Sequence, residues 1–191
     1  ADLNLTTVTT QRNPTSTPND FSNLELWLDA SGLSSADSTW SDNSGNGNDA
    51  SKTGSPIITQ NAQNGLSVMS YTGNGQRHKF SMLNNIRTVF WVISQDSSVN
   101  GSGYRYILCD STKHPNWHNQ NNGKFWSSNG WTRSWIKYGI TQLNGSVIDG
   151  ITTAYPNNLS IVSVRTTGNA DADCVGYERG STGRQWIGNL G

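Results

Sequence analysis

Clusters of Gly, Asn and Ser interrupt this chain at short intervals, and the segments between them alternate apolar and polar residues with a period of two. A parallel pair needs a crossover of a dozen or more residues, usually a helix, so this spacing favours antiparallel pairing. The clearest instance is Ile140-Thr141-Gln142-Leu143, then Asn144-Gly145, then Ser146-Val147-Ile148. Asn-Gly reaches the positive φ values of a type I′ turn, so a hairpin is expected there. Leu24, Leu26 and Leu28 alternate with Glu25, Trp27 and Asp29, which predicts an opening strand. Thr88 to Ser94 is a nearly continuous apolar run, expected of a central strand covered on both faces. Leu159, Ile161 and Ser163 face away from Ser160, Val162 and Val164 in another short strand. The fold class is all-β, expected as a two-sheet antiparallel β-sandwich that buries one face of each layer.

With 191 residues the chain fits one domain. Residues 1–20 carry few apolar side chains and include Pro14 and Pro18, so they are expected to be an extended arm or linker ahead of a domain at 21–191. Thirteen Lys and Arg balance thirteen Asp and Glu, which leaves no cationic excess for a nucleic-acid backbone. No apolar run approaches the roughly 20 residues that cross a bilayer. Ala1 opens into polar residues without an apolar core segment, so no signal peptide is expected in this sequence. Only 14% of residues are charged, yet the chain keeps 8 Trp, 6 Tyr and 4 Phe. Disordered chains lack such rings. The composition suits a secreted or surface β-protein.

Asp42-Asn43-Ser44-Gly45-Asn46-Gly47-Asn48-Asp49 has oxygen donors at alternate positions, like the start of a calcium loop. Asp42, Asn46, Asn48 and Asp49 are the candidate ligands. The twelfth position is Thr53 rather than a bidentate Glu, and the competing reading is a turn closed by Asn and Asp side chains. Cys109 and Cys174 lie in two strand-like contexts. They are either buried thiols or one disulfide closing a long loop.

Leu24-Glu25-Leu26-Trp27-Leu28-Asp29-Ala30-Ser31 followed by Trp40-Ser41-Asp42-Asn43-Ser44-Gly45-Asn46-Gly47-Asn48-Asp49-Ala50 resembles the opening of LamG-like jelly-roll domains, members of the concanavalin A-like lectin and glucanase superfamily. Thr88 to Gln95, Tyr104 to Ser111, the Asn144-Gly145 hairpin and Arg184 to Asn189 keep the order of that group. The resemblance implies a jelly roll over residues 21–191 that binds glycans or proteins. Similar domains continue after the tryptophan-glycine segment with one more apolar strand. This sequence ends at Leu190-Gly191, so a gap or an unpaired sheet edge is expected there, open to strand addition.

The segment from Asp110 to Tyr138 crowds rings among Asn, Gly and Ser. Indole faces stack on the C–H faces of sugars while polar side chains bond hydroxyls. Asp110, Trp117, His118, Trp126, Trp131, Arg133 and Trp135 are the candidate ligand-binding residues, with at least one of the four tryptophans expected to be exposed. The competing reading makes these rings core. His114 and His118 have zinc-pair spacing, but Pro115 disfavours the helix that would present them. The chain has two glutamates, Glu25 and Glu178, and lacks the paired carboxylates of a glycosidase. A noncatalytic surface module that binds glycan or surface polysaccharide is therefore expected. The alternative is a structural attachment or decoration domain in contact with other protein subunits.

Overall fold

A computed structural model describes residues 17–191, apart from 74, 100–102, 113–115, 120–121 and 180–182. Most of the arm expected at 1–20 thus lies outside the described residues, as does His114. Of the remainder, Pro18–Asp20 form a 3-10 turn, and the Asn19 amide donates to the Asn43 carbonyl at 3.1 Å.

The chain is all-β. Its strands are β1 (Thr39–Trp40), β2 (Ala50–Thr53), β3 (Ile57–Gln63), β4 (Leu66–Thr72), β5 (Arg77–Gln95), β6 (Leu108–Cys109), β7 (Ile140–Leu143), β8 (Ser146–Ile148), β9 (Ser160–Val175) and β10 (Ile187–Leu190), with a single helical turn, α1 (Ser134–Lys137). Every strand pairing is antiparallel. The main order is β3-β4-β10-β5-β9-β7-β8, while β2 joins β5 to β1 and β6 pairs with β9. The pairings form one continuous network. Its two long strands, β5 with 19 residues and β9 with 16, change register repeatedly between Lys79 and Thr88. Such bulges bend a strand and raise its twist, so the sheet can curve around a core.

The core holds Trp40, Trp91, Trp126 and Trp186 with Phe125, Ile93, Val162 and Val164. The hairpin of β7 and β8 turns at Asn144 and Gly145, whose φ values are 49° and 82°, as the sequence requires. In β9, Val162 and Val164 are buried and Ile161 is exposed, which follows the expected alternation.

Two expectations are corrected. The Leu24–Leu28 segment is not a strand; it makes one bridge, Leu28 to Asp42, and packs Leu26 and Leu28 on the core. The apolar run on β5 is covered on one face only. Trp91 and Ile93 are buried, but Phe90 is 72% exposed and Val92 is exposed beside it. The strand is central because β10 and β9 take its two edges, and edge pairing does not cover a face.

The expected gap after the tryptophan-glycine segment needs restating as well. Ile187–Leu190 is itself an inner strand, paired with β4 on one side and β5 on the other. The pairing carries through to Gly191, whose N–H donates to the Val92 carbonyl at 2.8 Å.

The Asp42 loop is a hydrogen-bonded clasp. Asp42 Oδ1 accepts from the Trp27 and Ser44 amides, both at 2.9 Å. Its Oδ2 accepts from Ser44 Oγ at 2.8 Å and from the Asn48 amide at 3.0 Å. Asp49 Oδ1 takes the Asp42 amide, Asn46 Nδ2 donates to the Leu24 carbonyl, and Asn48 Nδ2 donates to the Glu25 carbonyl. Burial alone would raise the Asp42 pKa, yet these donors outweigh it and hold the carboxyl below its ordinary value. Among the described residues no group of three or more His, Cys, Asp and Glu is placed to hold a metal. Asp42, Asn46 and Asn48, three of the candidate calcium ligands, thus staple residues 24–28 to the sheet. Asp42→Ala is expected to destabilise the fold by about 2 kcal/mol, read from urea unfolding, because it strands several donors at once.

Candidate functional site

The aromatic segment splits into a buried part and a surface part. Trp117 is buried against Trp91, with ring centroids 5.8 Å apart, and its Nε1 donates to the Asp171 carbonyl at 2.9 Å. Trp126 is 2% exposed and donates to Thr141 Oγ1 at 2.8 Å. Gly150 lies flat on the Trp126 indole, where a Cβ would collide with the ring. Both indoles, expected from sequence as ligand platforms, are core: each has spent its N–H and shows no open face. Asp110 is also buried, with Oδ1 accepting from the Thr112 amide and hydroxyl. It closes a turn rather than reaching outward.

Arg133 and Trp135 pair with each other. The Arg133 guanidinium sits 4.9 Å from the Trp135 ring centroid and 3.4 Å from Asp171 Oδ2. Both side chains are half-buried beside the first turn of α1.

Trp131 differs from the other candidates. It is 47% exposed and stacks on His118 with ring centroids 5.9 Å apart and an interplanar angle of 24°. His118 is buried, and both ring nitrogens are engaged. Nδ1 lies 2.6 Å from the Tyr106 hydroxyl, and Nε2 lies 3.2 Å from Glu178 Oε1. Glu178 is fully buried, contacts Arg179 through Oε1, and has Arg184 3.4 Å from Oε2. Arg184 in turn lies over the Tyr104 ring at 4.7 Å.

Burial alone would raise the Glu178 pKa. The hydrogen bonds from His118 and Arg179, with their charges, outweigh it and bring the carboxyl down to about 2. An ionised Glu178 needs donors, so His118 Nε2 carries a proton. Nδ1 lies within hydrogen-bond distance of the Tyr106 hydroxyl, which burial and then the Glu178 charge keep protonated. The outcome is a rigid mount: an exposed indole lies on a buried imidazole that two further side chains orient.

Of the sequence candidates, the structure brings together Trp131 and His118. It leaves Trp117, Trp126 and Asp110 in the interior and commits Arg133 to Trp135. Sequence reasoning missed Tyr106, Glu178 and Arg184. Glu178 beside Arg179 reads as an ion-paired turn, and the two do pair, but nothing local signals His118, 60 positions away.

Cys109 and Cys174 are free, buried and directly opposite in the β6–β9 register. The hydrogen bond with Cys174 and burial push the Cys109 thiol up, which disfavours its thiolate. Glu25, the other glutamate, accepts from Asn85 at 3.2 Å through Oε1 and lies at the Asp42 clasp.

Comparison with known proteins gives no match, whether to a family model, a curated protein or a solved structure.

Proposed function

We propose that this chain is a noncatalytic recognition module that binds glycan through the surface around Trp131. The observation that carries the proposal is the half-exposed indole on its ordered mount. Sugar rings present flat C–H faces, and an indole held in place gains stacking contact without losing side-chain freedom on binding. The neutral charge balance suits an uncharged or mixed ligand. The resemblance to LamG-like jelly rolls supports the same reading, with a two-sheet architecture and an extracellular, cell-surface or virion setting. The reading does not depend on calcium, since both Asp42 carboxylate oxygens are bonded to protein donors.

The test is a glycan array followed by titration of any hit. Trp131→Ala is expected to weaken binding at least about tenfold, the equivalent of about 1.4 kcal/mol. Its melting temperature is expected to stay within a few degrees of the parent, as for surface substitutions. Unchanged affinity in that variant, or silence across the array, would overturn the glycan reading.

A second reading, a structural attachment domain, draws on a different surface. Phe90, Val147 and Ile161 are all more than half exposed on one sheet face. Apolar patches of that kind mark contacts with other proteins.

A further inference from the structure

The chain has 2 cysteines, and the fold sets them directly against each other. Cys109 ends the two-residue strand β6, and Cys174 is the next-to-last residue of β9. They are register partners in an antiparallel pair, with Leu108 opposite Val175 beside them. Neither cysteine is more than 1% exposed, and the two share a small buried cluster with Tyr177. Directly opposed residues of such a pair have Cα atoms about 4.5 or 5.5 Å apart. A disulfide spans about 4.4–6.8 Å between Cα atoms, so the sheet already supplies the separation. The thiols also hydrogen-bond to each other.

Close packing does not call for sulfur at this place. Ala170 and Ala172 of the same strand are equally buried with a plain methyl group. A bond between the cysteines would hold the residues that orient Trp131. Tyr106 lies just ahead of β6 and Glu178 just past β9, and His118 contacts both. Between them and the cysteines the Gly176 amide donates to the Ile107 carbonyl at 2.8 Å. The β6 strand pairs with β9 over two rows only, so a covalent link there adds much to a short ladder.

We infer that Cys109 and Cys174 are the site of a disulfide that staples β6 to β9 and so ties the strand leading from Tyr106 to the one leading to Glu178. The oxidant is a small-molecule disulfide such as oxidised glutathione, present where secreted chains fold. One cysteine sulfur attacks it, breaks its S–S bond and expels one thiol, leaving a mixed disulfide. The other cysteine then displaces the second thiol. One S–S bond has formed in the protein, the oxidant's S–S bond is reduced, and the two protons pass to the expelled thiols. Burial withholds both sulfurs from an oxidant once the chain is folded, so the exchange belongs to folding, before β6 docks. The structure shows the pair in its reduced form. The inference does not rest on the glycan reading.

The test unfolds the whole chain with a reductant and refolds it in a glutathione redox buffer. The product is expected to be a monomer lighter by the mass of two hydrogens. Native reduced protein in the same buffer should oxidise at least about tenfold more slowly. The oxidised protein should melt roughly 10 °C above the same sample after reduction, the scale for closing a loop this long in a chain of this size. Hydrogen exchange at the Gly176 amide should slow at least about tenfold on oxidation. Cys109→Ala and Cys174→Ala should show neither gain after the same treatment. Trp131→Ala should show both, which separates this result from the glycan test. If the cysteine variants do not fold, the oxidised and reduced parent still decide the matter. A refolded product that keeps both thiols, carries glutathione or forms a disulfide-linked dimer would overturn the inference. An oxidised monomer that melts no higher than its reduced form would overturn the staple, and equal oxidation of the native protein would overturn folding as its occasion.

Discussion

Trp126→Ala is expected to cost about 3–5 kcal/mol, the range for removing a large buried ring. At about 2–4 °C per kcal/mol for a chain of this size, the melting temperature should fall by on the order of 10 °C. Three contacts are lost together. The indole fills space against Trp117 and Phe125, donates to Thr141, and forms the surface on which Gly150 rests. Gly150 has no side chain to fall into the void, so collapse around it is poor. Trp126→Phe keeps part of the volume but strands the Thr141 hydroxyl, and should cost less. Differential scanning calorimetry on the two variants beside Trp131→Ala decides the matter. If Trp126→Ala melts with the parent, the division into core and surface tryptophans is wrong.

The second large effect is electrostatic. Glu178→Gln removes a buried charge that His118, Arg179 and Arg184 all face. Removing one partner of a buried ion cluster typically costs about 3–5 kcal/mol, since the remaining charges are left uncompensated. The parent protein should show the same dependence as acid lability. Glu178 has a folded pKa of about 2 against an ordinary 4.5, so its contribution is complete above 4.5 and is lost as pH falls toward 2. His78 adds a limb at higher pH. Burial, and then the Lys52 charge, lower its pKa from 6.5 to about 4. The unfolded chain therefore takes up a proton first, and stability declines from pH 6.5 down through 4. Each limb amounts to about 3 kcal/mol at roughly 1.4 kcal/mol per pKa unit. Urea midpoints at pH 7, 5 and 3 should fall in two steps, and Glu178→Gln should flatten only the lower one. An unaltered lower step in that variant would assign it to other carboxylates.

The elements legible in the sequence were those whose cause is local. Asn144-Gly145 fixes a turn by its own backbone preferences, and the alternation of Val162 and Val164 against Ile161 records which face is buried. Long-range causes left no such trace. Phe90 and Val92 read as buried because apolar side chains usually are, and only the assembled sheet shows that face exposed among the described residues. The tryptophans of the segment from Asp110 to Tyr138 share one composition and one neighbourhood. What separates Trp126 from Trp131 is a partner, Thr141 for one and His118 for the other. The Asp42 loop has the donor pattern of a metal site, and only the folded chain shows the Trp27 and Asn48 amides bonded to the Asp42 carboxylate. The place of Glu178 in the site was hidden because one of its partners, His118, comes from a distant part of the chain.

The order of the strands carries a consequence for how the molecule comes to be made. β10 lies between β4 and β5, yet it is synthesised after β1 to β9. Until those four residues emerge, the two halves they join have no shared register. The nascent chain must hold β4 and β5 apart with their facing edges wet. Sequence-distant closure of this kind is slow and leaves sticky intermediates, so yield in the cell should depend on chaperones that guard an unfinished sheet.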